Sequence, residues 1–125
     1  MTQYCLPVGE VVEWNRSLIS QGFNVIDQAK LEGALAAPLQ TWNGQLLYPS
    51  PLKRAAVLVE RIANVHAFLD GNKRTAWMCG VVYLEQCGFN LEDVEDDDVV
   101  ELMVSVAENR ISVEAIAMWF AQHLA

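Results

Sequence analysis

The sequence predicts an all-α domain of about six helices with one small β-hairpin, a single unit over residues 1–125. Three observations predict it. Apolar residues recur at helical spacing along most of the chain. The pair Asn43-Gly44, between short apolar stretches, suits a tight hairpin. Hydrophobic residues make up 53% of the chain and charged ones 19%, enough apolar surface to offset the entropy of ordering the backbone. No repeat, low-complexity tract or Gly/Ser linker marks an internal boundary.

Val8, Val11, Val12, Leu18 and Ile19 fall at helical spacing between Pro7 and a Gln21-Gly22 break, giving a first helix and a turn over Gly22 to Asn24. Asp27 can cap a short second helix carrying Leu31 and Leu35, with Ile26 as a hydrophobic staple; Pro38 forbids its continuation. Trp42, Leu46, Leu47 and Tyr48 surround Asn43-Gly44, so a short flap or hairpin is expected; a surface loop pinned by Trp42 and Tyr48 fits the same residues. From Pro51, at a first-turn position, Ala55, Ala56, Leu58, Val59, Ile62 and Ala63 mark a core-facing helix ending near Val65.

The run Thr75 to Gln86 is almost wholly apolar and is expected at the centre of the bundle, closed by Gly88 in a left-handed conformation. Asp96 and Ser112 can cap the last two helices, which carry Val99, Leu102, Met103 and Val106, then Ile116, Trp119 and Phe120. The acid run Asp93, Glu95, Asp96, Asp97 and Asp98 reads as a solvated helix start, because it lacks the ligand spacing and central glycine of a calcium loop.

Eight basic against sixteen acidic residues give a net charge of −8, which opposes general binding to nucleic acid or to an anionic membrane. No run is long enough to span a bilayer, and the first residues lack a signal-peptide pattern, so a cytoplasmic location is expected. Cys5, Cys79 and Cys87 form no CxxC pair and are expected to be free thiols packed like small apolar side chains. His123 is expected to be a surface residue near the end of the chain.

Chemistry concentrates elsewhere. Lys53, Arg54, Arg61, Lys73 and Arg74 against Glu60 and Asp70 leave residues 53–74 with a net charge of +3 inside an acidic chain, which suits a small phosphorylated ligand. At the end of that stretch stands the string from His66 to Arg74, HAFLDGNKR, just before the central helix. A helix start offers unpaired backbone N–H groups and the positive end of the dipole. Gly71 lets the backbone approach an anion, and Lys73 and Arg74 add positive charge. His66 can take a proton from an attacking hydroxyl, Asp70 offers a hard oxygen for Mg²⁺, and Phe68 can peg the loop into the core. On chemistry alone a capped helix start with solvated charges and a satisfied histidine fits the same residues.

The string from His66 to Arg74 resembles the HxFx(D/N)xNKR motif of the Doc branch of the Fic/Doc family. The resemblance extends to Leu35-Ala36-Ala37-Pro38 with Gln40-Thr41, to the Gly44 to Tyr48-Pro49 flap, and to the apolar helix after the motif. It implies a Fic fold and an ATP- (or other NTP-) and Mg²⁺-dependent enzyme. In that scheme His66 is the general base, Phe68 the anchor, Asp70 the metal ligand, and Gly71, Asn72, Lys73 and Arg74 hold phosphate. Trp42, Leu46 and Tyr48 would line a groove for a target or an antitoxin, the flap adding a strand to the bound segment.

Doc-type members are toxins that phosphorylate elongation factor Tu at a Ser or Thr hydroxyl and stop translation, each with an antitoxin partner. A kinase of that kind is therefore the leading expectation. Fic nucleotidyl transferases, which move AMP to a protein hydroxyl, read HxFxxGNGR; Lys73 stands here in place of their second glycine, which speaks against AMP transfer. A catalytically silent partner-binding domain is the third reading. Ala67 stands where many members have Pro, a change that removes no catalytic atom.

Overall fold

The computed structural model describes residues 2–19, 25 and 27–125. Within them run α1 (Val8–Leu18), α2 (Gln28–Ala36), a 3₁₀ turn (Ala37–Leu39), β1 (Thr41–Trp42), β2 (Gln45–Leu46), α3 (Pro51–Asn64), α4 (Asn72–Gln86), α5 (Asp96–Ala107) and α6 (Val113–Gln122). The fold is therefore the mainly helical one expected, with one two-stranded antiparallel hairpin. The turn expected over Gly22 to Asn24 and the staple Ile26 lie outside the described residues.

Local chemistry sets most boundaries. Asp27 Oδ1 accepts from Lys30 N (3.0 Å) at the start of α2, and Ser112 Oγ accepts from Ala115 N (3.1 Å) at the start of α6. Asn43 (φ 53°) and Gly44 (φ 76°) make the tight connection of the hairpin, in which Thr41 pairs with Leu46 and Trp42 with Gln45. Gly88 takes φ 90° after α4, as expected. Two starts differ. Glu95, not Asp96, occupies the cap position of α5, so Asp96, Asp97 and Asp98 all fall in the first turn, where carboxylates suit the dipole. The central helix begins at Asn72 rather than Thr75, so Lys73 and Arg74 belong to its first turn.

The antiparallel pair α3 and α4 is the centre of the molecule, with α1, α2, α5 and α6 around it. Arg54 near the start of α3 meets Tyr83 near the end of α4, and Val59 meets Gly80 between them. α3 turns Ala55, Ala56, Leu58, Val59, Ile62 and Ala63 into the core, against Ile116 and Phe120 of α6. Arg54 also fixes the root of the hairpin. Its Nε donates to the Tyr83 hydroxyl (2.8 Å), and its Nη1 donates to the backbone oxygens of Tyr48 (3.0 Å) and Pro49 (2.8 Å).

α4 is less covered than its apolar sequence predicts. Ala76, Cys79, Gly80, Tyr83 and Leu84 are buried, but Trp77, Met78, Val81 and Val82 remain only half-buried, Trp77 and Met78 along an open groove towards α1 and α5. Of the cysteines, Cys5 and Cys79 pack in the core, and burial pushes each thiol up to about 12, while Cys87 is half-buried. His123 is half-buried rather than at the surface: its ring stacks on Trp119 at 3.8 Å. Among the described residues no helix is long and apolar enough to cross a membrane.

Gly80 sets how closely the two central helices approach. A Cβ there would stand 2.5 Å from Val59 Cγ2 and 3.4 Å from Phe120 Cζ. Gly80→Ala should lower the unfolding free energy by about 1–3 kcal/mol in urea denaturation, through overpacking. An unchanged midpoint would show that the α3–α4 spacing is not fixed at this point.

Candidate active site

α3 ends when Val65 N bonds back to Arg61 O (2.9 Å) and His66 turns the chain with φ 54°. A left-handed histidine costs about 1–3 kcal/mol, a strain that the next residues must hold in place. They do so from several sides. Ala67 O accepts from Asp27 N (3.2 Å), Phe68 forms a bridge with Val25, and the Phe68 side chain is fully buried. Asn72 then closes the loop on itself: its Oδ1 accepts from Phe68 N (3.3 Å) and its Nδ2 donates to Phe68 O (2.9 Å).

Gly71 carries the chain into α4 with φ 79°, and its N–H donates to Asp70 Oδ1 (2.8 Å). Thr75 N makes the first helical bond, to Gly71 O (2.9 Å). The amides of Asn72, Lys73 and Arg74 therefore occupy the turn in which helix geometry supplies no acceptor. His66, Asp70, Gly71, Asn72, Lys73 and Arg74 line one cleft of about 280 Å³, together with Leu69, Ala63 of α3 and Ala107 of α5. Phe68, between the cleft residues His66 and Asp70 in sequence, is fully buried.

Three details depart from the expected site. The Asn72 side chain bonds the backbone of Phe68, so it is a clamp on the loop, and its backbone N–H lies in the first turn of α4. Arg74 Nη1 donates to Leu18 O (2.9 Å), engaging one of five guanidinium donors at the end of α1. The local +3 charge does not form one patch. Lys53 pairs with Glu114 (3.3 Å), Arg61 with Glu60 (3.5 Å), and Arg54 holds the hairpin. For Lys53 the reason is length: at 1.5 Å per residue it lies about 17 Å along α3 from the end of the helix that leads into the loop. Among the described residues, Lys73 and Arg74 alone of the basic side chains line the cleft.

Trp42, Leu46 and Tyr48 do not line this cleft. Trp42 (73% exposed) and Leu46 stand on the hairpin, and Tyr48 is half-buried on its stem. A second concavity does adjoin the cleft. An apolar groove of about 340 Å³ runs between α1, α4 and α5, lined by Leu18, Trp77, Met78, Val100, Met103 and Val104, and it shares Lys73 and Arg74 with the cleft.

One residue of the site escaped the sequence reading. Asn15 of α1 is 1% exposed and donates from Nδ2 to both Asp70 O (3.0 Å) and Thr75 Oγ1 (3.0 Å). Its position, four residues after Val11 and three before Leu18, is the available signal: an amide on an apolar stripe. Among the described residues its Oδ1 has no partner, a cost of about 1–3 kcal/mol.

An imidazole on a strained turn, one carboxylate and two cations at a helix start therefore line a single cleft, groups that chemistry allows to attract an anion and to exchange a proton. Comparison with known proteins assigns the lineage. The Fic/DOC family matches residues 5–84. Toxin Doc of Mycolicibacterium smegmatis (strain ATCC 700084 / mc(2)155) is 37% identical over 94 residues, 74% of this chain and 72% of that protein. The chain belongs to the Fic/Doc family.

The clamp gives a direct test of this geometry. Asn72→Ala removes both bonds to Phe68, and the expected loss is about 1–3 kcal/mol of stability with proteolytic nicking confined to residues 66–71. Wild-type protease resistance in that variant would show that the loop is held by Phe68 burial alone.

Proposed function

We propose that this chain is a toxin of a toxin–antitoxin pair. In this reading it is a Mg²⁺-dependent protein kinase that moves the γ-phosphate of ATP, or of another nucleoside triphosphate, to a Ser or Thr hydroxyl of elongation factor Tu. The observation that carries it is the single cleft in which His66, Asp70, Lys73 and Arg74 converge on the first turn of α4. The 37% identity to a toxin named Doc supports the toxin role.

The residues present fit the groups that the reading requires. A triphosphate finds the amides of the first turn and two cations. The Asp70 carboxylate is a hard oxygen donor of the kind that Mg²⁺ takes alongside phosphate oxygens and waters, and the bound ion would neutralise phosphate charge. His66 is exposed on the cleft wall, where its imidazole can accept the proton of an incoming hydroxyl. The remaining work is positioning, which a clamped loop supplies. Lys73 is exposed at the same wall, and in this reading its side chain takes the room that a glycine would leave for an α-phosphate. That favours a triphosphate lying with its γ-phosphate towards His66.

The exposed Trp42 and Leu46 suit the hairpin for docking the target segment by strand addition. The antitoxin finds its surface in the apolar groove of α1, α4 and α5, since a helix laid there would also cover Lys73 and Arg74. Acidic side chains at that end of the helix would meet both cations.

Labelled nucleotide tests the reaction. With purified protein, Mg²⁺ and elongation factor Tu, label should pass from γ-labelled ATP and none from α-labelled ATP. His66→Ala should lower the rate by about 10²- to 10⁴-fold. Expression of the chain alone should arrest bacterial growth, and His66→Ala or Asp70→Ala should relieve the arrest. Label from the α position would replace the kinase reading with AMP transfer; equal arrest by wild type and both variants would remove the motif from the effect.

A further inference from the structure

We propose that Asn15 is a positioning residue of the cleft: from α1 it sets the Asp70-Gly71 turn on which the carboxylate and the first amides of α4 depend. The inference rests on the kinase reading only for what the cleft binds.

Four observations carry it. The two acceptors of Asn15 Nδ2, Asp70 O and Thr75 Oγ1, lie on either side of Gly71 in the chain, so one amide spans the turn. The orientation of that amide is fixed, because a backbone carbonyl can only accept. A Cβ built on Gly71 would stand 3.0 Å from Asn15 Nδ2 and 3.0 Å from Ile19 Cγ2, so the end of α1 packs directly against the turn. Asn15 Oδ1 has no partner among the described residues, although the surrounding stripe would accept an apolar side chain. A group that served only packing would be aliphatic here, because an unbonded amide oxygen is costly to bury.

The fourth observation is the second tie from the same helix, Arg74 Nη1 to Leu18 O. α1 thus holds the loop before Gly71 through Asp70 and after it through Thr75 and Arg74. An occupant of the groove beside Leu18 would press on the same helix, which places the anion turn in reach of whatever binds there.

A merely structural role would tie α1 to α4, and the Thr75 bond alone would serve that. The test therefore compares Asn15→Leu with Thr75→Val in the full chain. Three readouts are used: thermal stability, amide hydrogen exchange resolved at residues 70–76, and calorimetric titration with Mg·ATP. In Asn15→Leu, exchange at Gly71 and Thr75 should quicken, with α4 beyond Gly80 unchanged, and Mg·ATP affinity should fall by about tenfold or more. Thr75→Val should leave Mg·ATP affinity at the wild-type level.

Wild-type affinity and exchange in Asn15→Leu would overturn the proposal. So would equal losses in both variants that track thermal stability alone. Wild-type protein that binds no Mg·ATP would overturn the kinase reading instead, and exchange at Gly71 would still decide on Asn15. If Asn15→Leu does not fold, Asn15→Asp keeps the shape and can still accept from the Thr75 hydroxyl but turns a second acceptor towards the Asp70 carbonyl, and the same pattern is expected of it.

Discussion

Everything at the cleft depends on a reciprocal pair of hydrogen bonds between one side chain and one backbone unit. Asn72 accepts from Phe68 N and donates to Phe68 O, which closes the loop over residues 68–72. Phe68 in turn is buried among the helices, so the loop takes its position from the core rather than from solvent. The constraint is transmitted outwards to both ends. His66 is held in its left-handed turn at the end of α3, and Gly71 is placed to start α4, whose first three amides have no acceptor within the helix. A site built this way is organised before a ligand arrives, which is the condition under which positioning and fixed dipoles lower a barrier.

Charge at the cleft is local. Of the five basic residues between Lys53 and Arg74, three are engaged elsewhere, by Glu114, Glu60 and the hairpin root. Lys73 and Arg74 act within one helical turn, at the positive end of the α4 dipole. The acidic remainder of the molecule leaves these two cations as a small positive feature, suited to phosphate oxygens and ill suited to a long polyanion. The uncovered side of α4 extends from that feature. Trp77 and Met78 remain half-buried where Leu18, Val100 and Met103 continue the apolar surface, so cleft and groove meet at the same two side chains.

What could be read in the sequence was local. Asp27 and Ser112 cap their helices through bonds that reach three residues, Asn43-Gly44 makes its own turn, and the residues from His66 to Arg74 share a cleft because they are consecutive. Two features that the sequence does not announce are long-range. Arg54 looked like part of a phosphate site and instead spans 29 residues to Tyr83. Asn15 reaches 55 residues to Asp70, and no pattern around either residue announces the pairing. The start of α4 is hidden in the sequence because Asn72 is of a residue type that favours loops, and only its bonds to Phe68 satisfy the side chain at a helix start. The apolar run of α4 implied burial on every side, whereas its cover depends on where α1 and α5 lie.

In the proposed kinase reaction this preformed loop, with Lys73 on its wall, would turn a triphosphate so that the γ-phosphate meets His66. A crystal structure of the protein with Mg²⁺ and a non-hydrolysable ATP analogue tests it most directly. The account predicts the terminal phosphate against the first turn of α4 beside the His66 imidazole, with the loop from His66 to Gly71 unchanged. An α-phosphate in that place, with the terminal phosphate directed away from His66, would contradict it.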